Sequence, residues 1–460
     1  MRTVAAFAAL ALFAPSAELY RERYRPQFHF SPERNWTNDP CGLIYRNGEY
    51  HLFFQFNPFD KVWGHMSWGH AISRDLVHWK QLPVAIPEDG DVMIFTGSSV
   101  LRGKRIVSIW TGDVARRPQT QNLAFSADGR TWTKYPGNPV LDQGKKDFRD
   151  PKVLWHAATK RWIMVVMLPN EYKAQFYSSR DLKHWIHLSD FGPADVTREQ
   201  WECPDFYQLP VDGNPKNTRW VLKIGTNPGH IAGGSGEQYF VGRFDGIRFT
   251  NDNPPETSLW VDYGRDCYCE FSFNNAPATI AMGWMSDWLY AGETPTSPWR
   301  GQMTIPRRLS LQTTPEGIRL VQTPIEGLKA LRRERLSALA EAGDTFEFTG
   351  AIAPGREFRL ALAGAELAYD PAKSEIYVDR TQGNVNFSPK FPARTAAPVQ
   401  LHGRPLKLHV FVDRSSIEVF ADGGRVTLTN LVYPTESRPP VILQGAIDNL
   451  EVWKLASIWR

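Results

Sequence analysis

The 460-residue chain is longer than one ordinary hydrophobic core can serve, so two domains are expected. At 42% hydrophobic and 22% charged it has the make-up of a folded protein, and its 17 Trp suit all-β structure and sugar-stacking surfaces. A formal net charge of +4 with no Lys/Arg cluster excludes nucleic acid as a partner.

The chain opens with Met1-Arg2-Thr3, an apolar run from Val4 to Ala14, and Pro15-Ser16-Ala17. This pattern predicts a signal peptide over residues 1–17, the alternative being a buried N-terminal helix. The apolar run is too short to span a bilayer and no later segment is longer, so a soluble, exported protein (extracellular or periplasmic) with no membrane partner is expected. The four cysteines, Cys41, Cys203, Cys267 and Cys269, form no C-x-x-C pair, which argues against structural zinc. Cys267 and Cys269 fall on one strand, a poor geometry for bonding to each other, and free buried thiols are expected. No other ligand cluster stands out, and no metal or cofactor is expected. Oligomeric state is left open.

Residues 24–322 read as short apolar-alternating strands separated by Gly, Pro, Asn and Asp. Leu43-Ile44-Tyr45 and Tyr50-His51-Leu52-Phe53-Phe54 predict a hairpin turned by Arg46-Asn47-Gly48. Three segments share the pattern S-x-D-x-x-x-W: Ser73–Trp79, Ser126–Trp132 and Ser179–Trp185. They recur every 53 residues. A period near 50 in all-β sequence predicts the four-stranded blades of a propeller, here five, with the Asp turning the chain and the Trp packing between blades. Residues 323–343 (Ile325–Ala342 within them) are the one plausible helical or linker stretch. From 344 to 460 strands return, among them Leu408–Val412 and Ser416–Phe420 with a hairpin turn at Asp422-Gly423-Gly424, predicting a β-sandwich.

Three acids keep step with the repeat. Asp150 follows Trp132 by 18 residues, Glu202 follows Trp185 by 17, and one period earlier the matching slot falls close to Asp39. If the units surround an axis, the three carboxyls converge on it. Asp39 and Asp150 each precede a proline, which keeps them out of helix and at a strand entrance, although Asx-Pro turn chemistry alone explains most such pairs. Arg149 is expected to keep Asp150 ionised. Trp201 and Cys203 are expected to give Glu202 an apolar flank that raises its proton affinity, as a general acid requires. The eleven histidines are scattered and read as packed or turn residues.

The motifs W-x-N-D-P (36–40), F-R-D-P (148–151) and W-E-C-P-D (201–205), in this order and spacing, resemble glycoside hydrolase family 32, the invertases, inulinases and levanases. Trp68-Gly69-His70-Ala71, Gly233-Gly234-Ser235-Gly236 and His409–Phe420 fit the same family. The resemblance implies a five-bladed propeller with a C-terminal sandwich, acting as a retaining exo-β-fructosidase on levan, inulin or sucrose. It implies Asp39 as nucleophile, Glu202 as general acid/base and Asp150 as transition-state stabiliser. Trp36, Asn38, Gln55, Trp63, Phe95, Thr96, Arg149 and Trp288 would form the fructose subsite. Met285–Ala291 and Pro295–Arg300 look more like the levanase and exo-inulinase branch than plant invertases. Cys41 stands where the family has Asn and Thr96 where it has Ser, and Cys267 and Cys269-Glu270 depart from its pattern. The competing readings are an inverting pentosidase on the same propeller and a non-catalytic sugar-binding propeller.

Overall fold

The computed structural model describes residues 19–437 and 439–459; the expected signal peptide at 1–17 lies outside them. The N-terminal part is built from antiparallel groups in which consecutive strands pair in order, as short turns between alternating strands dictate. The first group is Asn35–Arg46, Glu49–Phe56, Ser67–Ser73 and Lys80–Ile86. The second is Met93–Arg102, Arg105–Asp113 and Thr120–Ser126 with two short edge pieces. The third runs Arg149–His156 to Ile186–Phe191, and the fourth runs Gln200–Val211 to Phe249–Asn251. A last group, Tyr268–Ser272, Ile280–Trp284, Arg307–Thr314 and Gly317–Pro324, is joined to the fourth by the parallel bridge Val211↔Leu311.

The ring is closed by pairing between its ends. Trp299–Arg300 adds in parallel to Asn35–Trp36, and the backbone of Asn274 bonds to Leu43 and Tyr45. The Asn274 side chain donates to the carbonyls of Ser99 and Val153, on the inner strands of the second and third groups. One residue, by backbone and side chain together, thus reaches strands of the first three groups, which fixes a common axis.

The recurring S-x-D-x-x-x-W segments turn the third strand of each group into the fourth. Asp75, Asp128 and Asp181 each accept two backbone N–H groups through Oδ1, from residues two and three ahead. Ser73, Ser126 and Ser179 each accept the N–H of the residue three ahead. Trp132 meets Phe53 of the first group edge-on, as a spacer between neighbouring groups. A fourth copy, Arg243–Phe249, escapes the sequence pattern because Arg and Phe replace Ser and Trp, yet Asp245 accepts the N–H groups of Ile247 and Arg248 in the same way.

The C-terminal part is a β-sandwich. A six-stranded sheet faces a five-stranded one across an apolar core containing Phe346, Phe348, Leu360, Leu367, Val378, Val410 and Val419. The helical reading of 323–343 is corrected. Arg332–Leu336 is a strand paired with Asp448–Leu455 at the edge of the larger sheet, flanked only by short 3₁₀ turns. Leu328 and Leu331 supply the apolar spacing that suggested a helix. They are buried against Phe411, Phe420 and Leu455, so docking and strand pairing override local helix preference.

The two parts meet through buried charge. His29, on the N-terminal segment, lies 2.8 Å from both Asp413 and Glu418 of the sandwich. Arg307 donates to Asp262 at 2.9 Å and to Glu418 at 2.5 Å, while Arg380 of the sandwich pairs with Asp266. Each carboxylate is buried and each has a cationic or hydrogen-bond donor partner, the condition under which buried charge is tolerated.

Candidate active site

The inner strand of each group carries the same irregularity, at the same end. In each, two residues stand opposite one on the neighbouring strand: Asn38-Asp39 opposite Gln55, Phe95-Thr96 opposite Thr111, and Asp150-Pro151 opposite Val166. Cys203-Pro204 opposite Ile224 and Cys269-Glu270 opposite Gly283 complete the set. Such bulges re-aim a side chain out of the alternating pattern. The acid-proline pairs explain two of them locally, since proline cannot donate to the ladder. Asp150, Cys203 and Cys269 all adopt left-handed backbone, with φ of 65°, 49° and 49°. Non-glycine residues hold that conformation where surrounding structure demands it.

Four of the five bulges line a cavity of about 350 Å³; at the fifth, Tyr268 lines it and Cys269-Glu270 do not. Asp39, Asp150 and Glu202 all face it, with Asn38, Gln55, Trp63, Phe95, Thr96, Arg149 and Trp288. Trp36 does not line it. That ring is 1% exposed, stacks near Trp288, and donates Nε1 to Asn38 Oδ1 at 2.8 Å, so it supports the wall from behind. Residues unforeseen from sequence also line the cavity: Gln119, Asp147, Cys203, Asn227 and Tyr268.

Asp39 is held by two donors: Thr96 Oγ1 reaches Oδ2 at 2.6 Å and Asn38 Nδ2 reaches Oδ1 at 3.0 Å. Thr96 therefore performs with its hydroxyl what the family's Ser could. Burial pushes the Asp39 carboxyl up to about 6, against the pull of these two donors. Cys41 sits behind, its Sγ 4.0 Å from Gln55 Nε2, while Gln55 donates to the Ile94 carbonyl.

Two electrostatic expectations are corrected. Arg149 does not pair with its chain neighbour Asp150; its Nε and Nη2 donate to Glu202 Oε1 at 3.1 and 2.8 Å. Asp150 accepts the Cys203 N–H at 3.0 Å, and burial pushes its carboxyl up to about 7 although the nearby guanidinium opposes this. The flank of Glu202 is polar. Tyr268 Oη donates to Oε2 at 2.6 Å and Asn227 Nδ2 lies 3.4 Å away, whereas Trp201 packs with Phe240 on the other side of the strand.

The cysteine expectation is also corrected. Cys203 and Cys269 are bonded to each other, and only Cys41 and Cys267 are free. Their separation of 66 residues gives no local signal; two adjacent bulges place them side by side.

Carboxyls gathered in one cavity, one held by two hydrogen-bond donors and another by a guanidinium and a phenol, with aromatic walls, define a carbohydrate-cleaving site. The sequence matches the model of the glycosyl hydrolases family 32 N-terminal domain over residues 29–324, and that of the family 32 C-terminal domain over 329–454. The chain belongs to glycoside hydrolase family 32. It is 41% identical to a levanase of Bacillus subtilis (strain 168), over 97% of this chain and 72% of that protein. It is 37% identical to an extracellular exo-inulinase of Aspergillus awamori, over 96% of each. The crystal structure of exo-inulinase from Aspergillus awamori superposes with a TM-score of 0.89 at 35% identity, covering 96% of this chain and all of that one. A β-fructofuranosidase from Schwanniomyces occidentalis complexed with fructosyl-erythritol gives 0.86 at 31% identity, covering 98% of this chain and 100% of that one. The fold is therefore the family's propeller followed by a β-sandwich.

Proposed function

We propose that the cavity holds one fructosyl unit between Asp39 as nucleophile and Glu202 as general acid/base, in a five-bladed propeller, and that cleavage is exo-acting. The protein is a glycosidase that releases fructose from β-fructosides, by its family and by its likeness to levanases, exo-inulinases and invertases. In the proposed first step Asp39 attacks the anomeric carbon while Glu202 protonates the departing oxygen. In the second, Glu202 takes a proton from water, which displaces Asp39 and restores the configuration. Retention by this route needs carboxyls about 5–5.5 Å apart.

The observation that carries the assignment is the different company the acids keep. Asp39 has short neutral donors that favour its ionised, attacking form. Glu202 has donors on both oxygens, Arg149 on one and Tyr268 on the other, which stabilise the carboxylate left after proton transfer and aim it at incoming water. Asp150, fixed by the Cys203 N–H, stands ready to hold fructose hydroxyls and offset positive charge at the oxocarbenium-like stage. Trp63 and Trp288 offer faces for the sugar. Export is part of the same reading, since fructan polymers are met outside the cell and the exo-inulinase relative is extracellular.

Incubating the purified protein with sucrose, inulin and levan should release free fructose, with initial product of unchanged anomeric configuration by NMR. Asp39→Asn and Glu202→Gln should each lower kcat by on the order of 10²–10⁴ or more. No fructose from any of the three substrates, or an inverted product, would overturn the reading.

A further inference from the structure

The Cys203–Cys269 bond joins strands Gln200–Val211 and Tyr268–Ser272, which share no ladder of hydrogen bonds. It links two bulges directly, at the floor of the cavity. Its surroundings touch each acid. The Cys203 N–H holds Asp150 at 3.0 Å, and Cys203 Sγ lies 3.7 Å from Asp39 Oδ2. Glu202 immediately precedes Cys203, and Tyr268, which donates to Glu202 at 2.6 Å, immediately precedes Cys269. The bond therefore sits one residue from both members of the Glu202–Tyr268 pair. Both cysteines are held at φ 49°, a conformation that a free chain would abandon readily.

We propose that this disulfide is a positioning element for the reaction: it fixes the distance between the Glu202 and Tyr268 bulges, so that breaking it slows bond cleavage while the fold survives. The fold has independent support, since the two strands keep their partners Asn214–Asn227 and Ile280–Trp284. Reduction by dithiothreitol converts the bond to two thiols, the electrons and protons coming from the reagent, which closes to its cyclic disulfide. A thiol freed at Cys203 would then lie beside the Asp39 carboxylate. The proposal rests on Glu202 reacting as assigned above.

The first measurement is a thiol count on the denatured, unreduced protein: two reactive thiols are expected, and four would overturn the proposal. The second compares fructose release from sucrose by the wild type, Cys269→Ala, Tyr268→Phe and the double variant. Cys269→Ala alone should lower kcat about tenfold with KM changed less than about twofold, and in the Tyr268→Phe background its further cost should fall below about twofold. Equal factors in both backgrounds, or an unchanged kcat, would show a staple with no bearing on Glu202. Should Cys269→Ala fail to fold, dithiothreitol-treated wild type below its melting temperature carries the test, read by the same kcat-against-KM split once four thiols are counted. A wild type that releases no fructose would sink the functional reading instead, leaving the thiol count and the bond intact.

Discussion

Arg149 and Glu202 are joined through a single carboxylate oxygen, Oε1, which receives both Nε and Nη2 of the guanidinium. Arg149 also reaches Gln200 at 2.9 Å and Asp147 at 3.2 Å, so it anchors one wall of the cavity to the next. Lysine can supply the charge but not two N–H groups in a fixed plane. Arg149→Lys is expected to lower kcat/KM by about 10–100-fold, with the melting temperature little changed. Steady-state kinetics alongside thermal melting check this, and activity within twofold of wild type would show that the fork does not position Glu202.

Asp39 must be ionised to attack, and burial pushes its carboxyl up to about 6. In the free enzyme, kcat/KM should therefore fall as pH drops through that region. The Thr96 hydroxyl favours the ionised form, so Thr96→Val should move the acid limb to higher pH, whereas Thr96→Ser should leave it near the wild-type position. A Thr96→Val profile superimposable on the wild type would separate this limb from Asp39.

His29 offers a test on stability. Its two carboxylate partners, Asp413 and Glu418, outweigh burial and push the imidazole up to about 9 from an ordinary 6.5. A raised folded value means that the folded state holds the proton more tightly. The stabilisation is thus complete below about 6.5 and lost as pH rises to about 9. Denaturant unfolding should show a decline on the order of 3 kcal/mol across that window. His29→Gln should flatten it. Asp39 and Asp150, also raised, add a decline of the same sign between about pH 4 and 7.

Trp63 and Trp36 should separate binding from folding. Trp63 is 46% exposed at the cavity mouth, meeting Phe95 edge-on. Trp63→Ala should cost about tenfold in kcat/KM and almost nothing in stability. Trp36 is packed near Trp284 and Trp288, and Trp36→Ala should cost about 3–5 kcal/mol of stability. A destabilised Trp63→Ala, or a stable Trp36→Ala, would reverse these assignments.

The acids were legible because the chain marks them twice, by their phase against the S-x-D-x-x-x-W turns and, for Asp39 and Asp150, by the proline that follows. Their partners were harder to read. Tyr268 and Asn227 come from segments with no repeat signal: Tyr268 meets Glu202 because two separate bulges lie side by side, and Asn227 because its strand pairs with that of Glu202, opposite Gln200. Arg149 stands beside Asp150 in sequence, but the bulge between them turns one toward Glu202 and the other toward the Cys203 N–H. The fourth turn was hidden by two substitutions that preserve its Asp. The edge strand Arg332–Leu336 was hidden because its partner, Asp448–Leu455, lies over a hundred residues away.

The charge that crosses between the two halves bears on how such chains can evolve. Asp262, Asp266 and Arg307 belong to the half that carries the cavity, and their partners Thr429, Arg380 and Glu418 belong to the other. Ending the chain near Pro324 would take the cation from Asp266, the Thr429 hydroxyl from Asp262 and the Glu418 carboxylate from Arg307, with Asp262 and Arg307 still paired to each other, and a sandwich borrowed from a relative would have to bring the same groups at the same places. Replacing one half without the other therefore carries the cost of leaving buried charge short of partners.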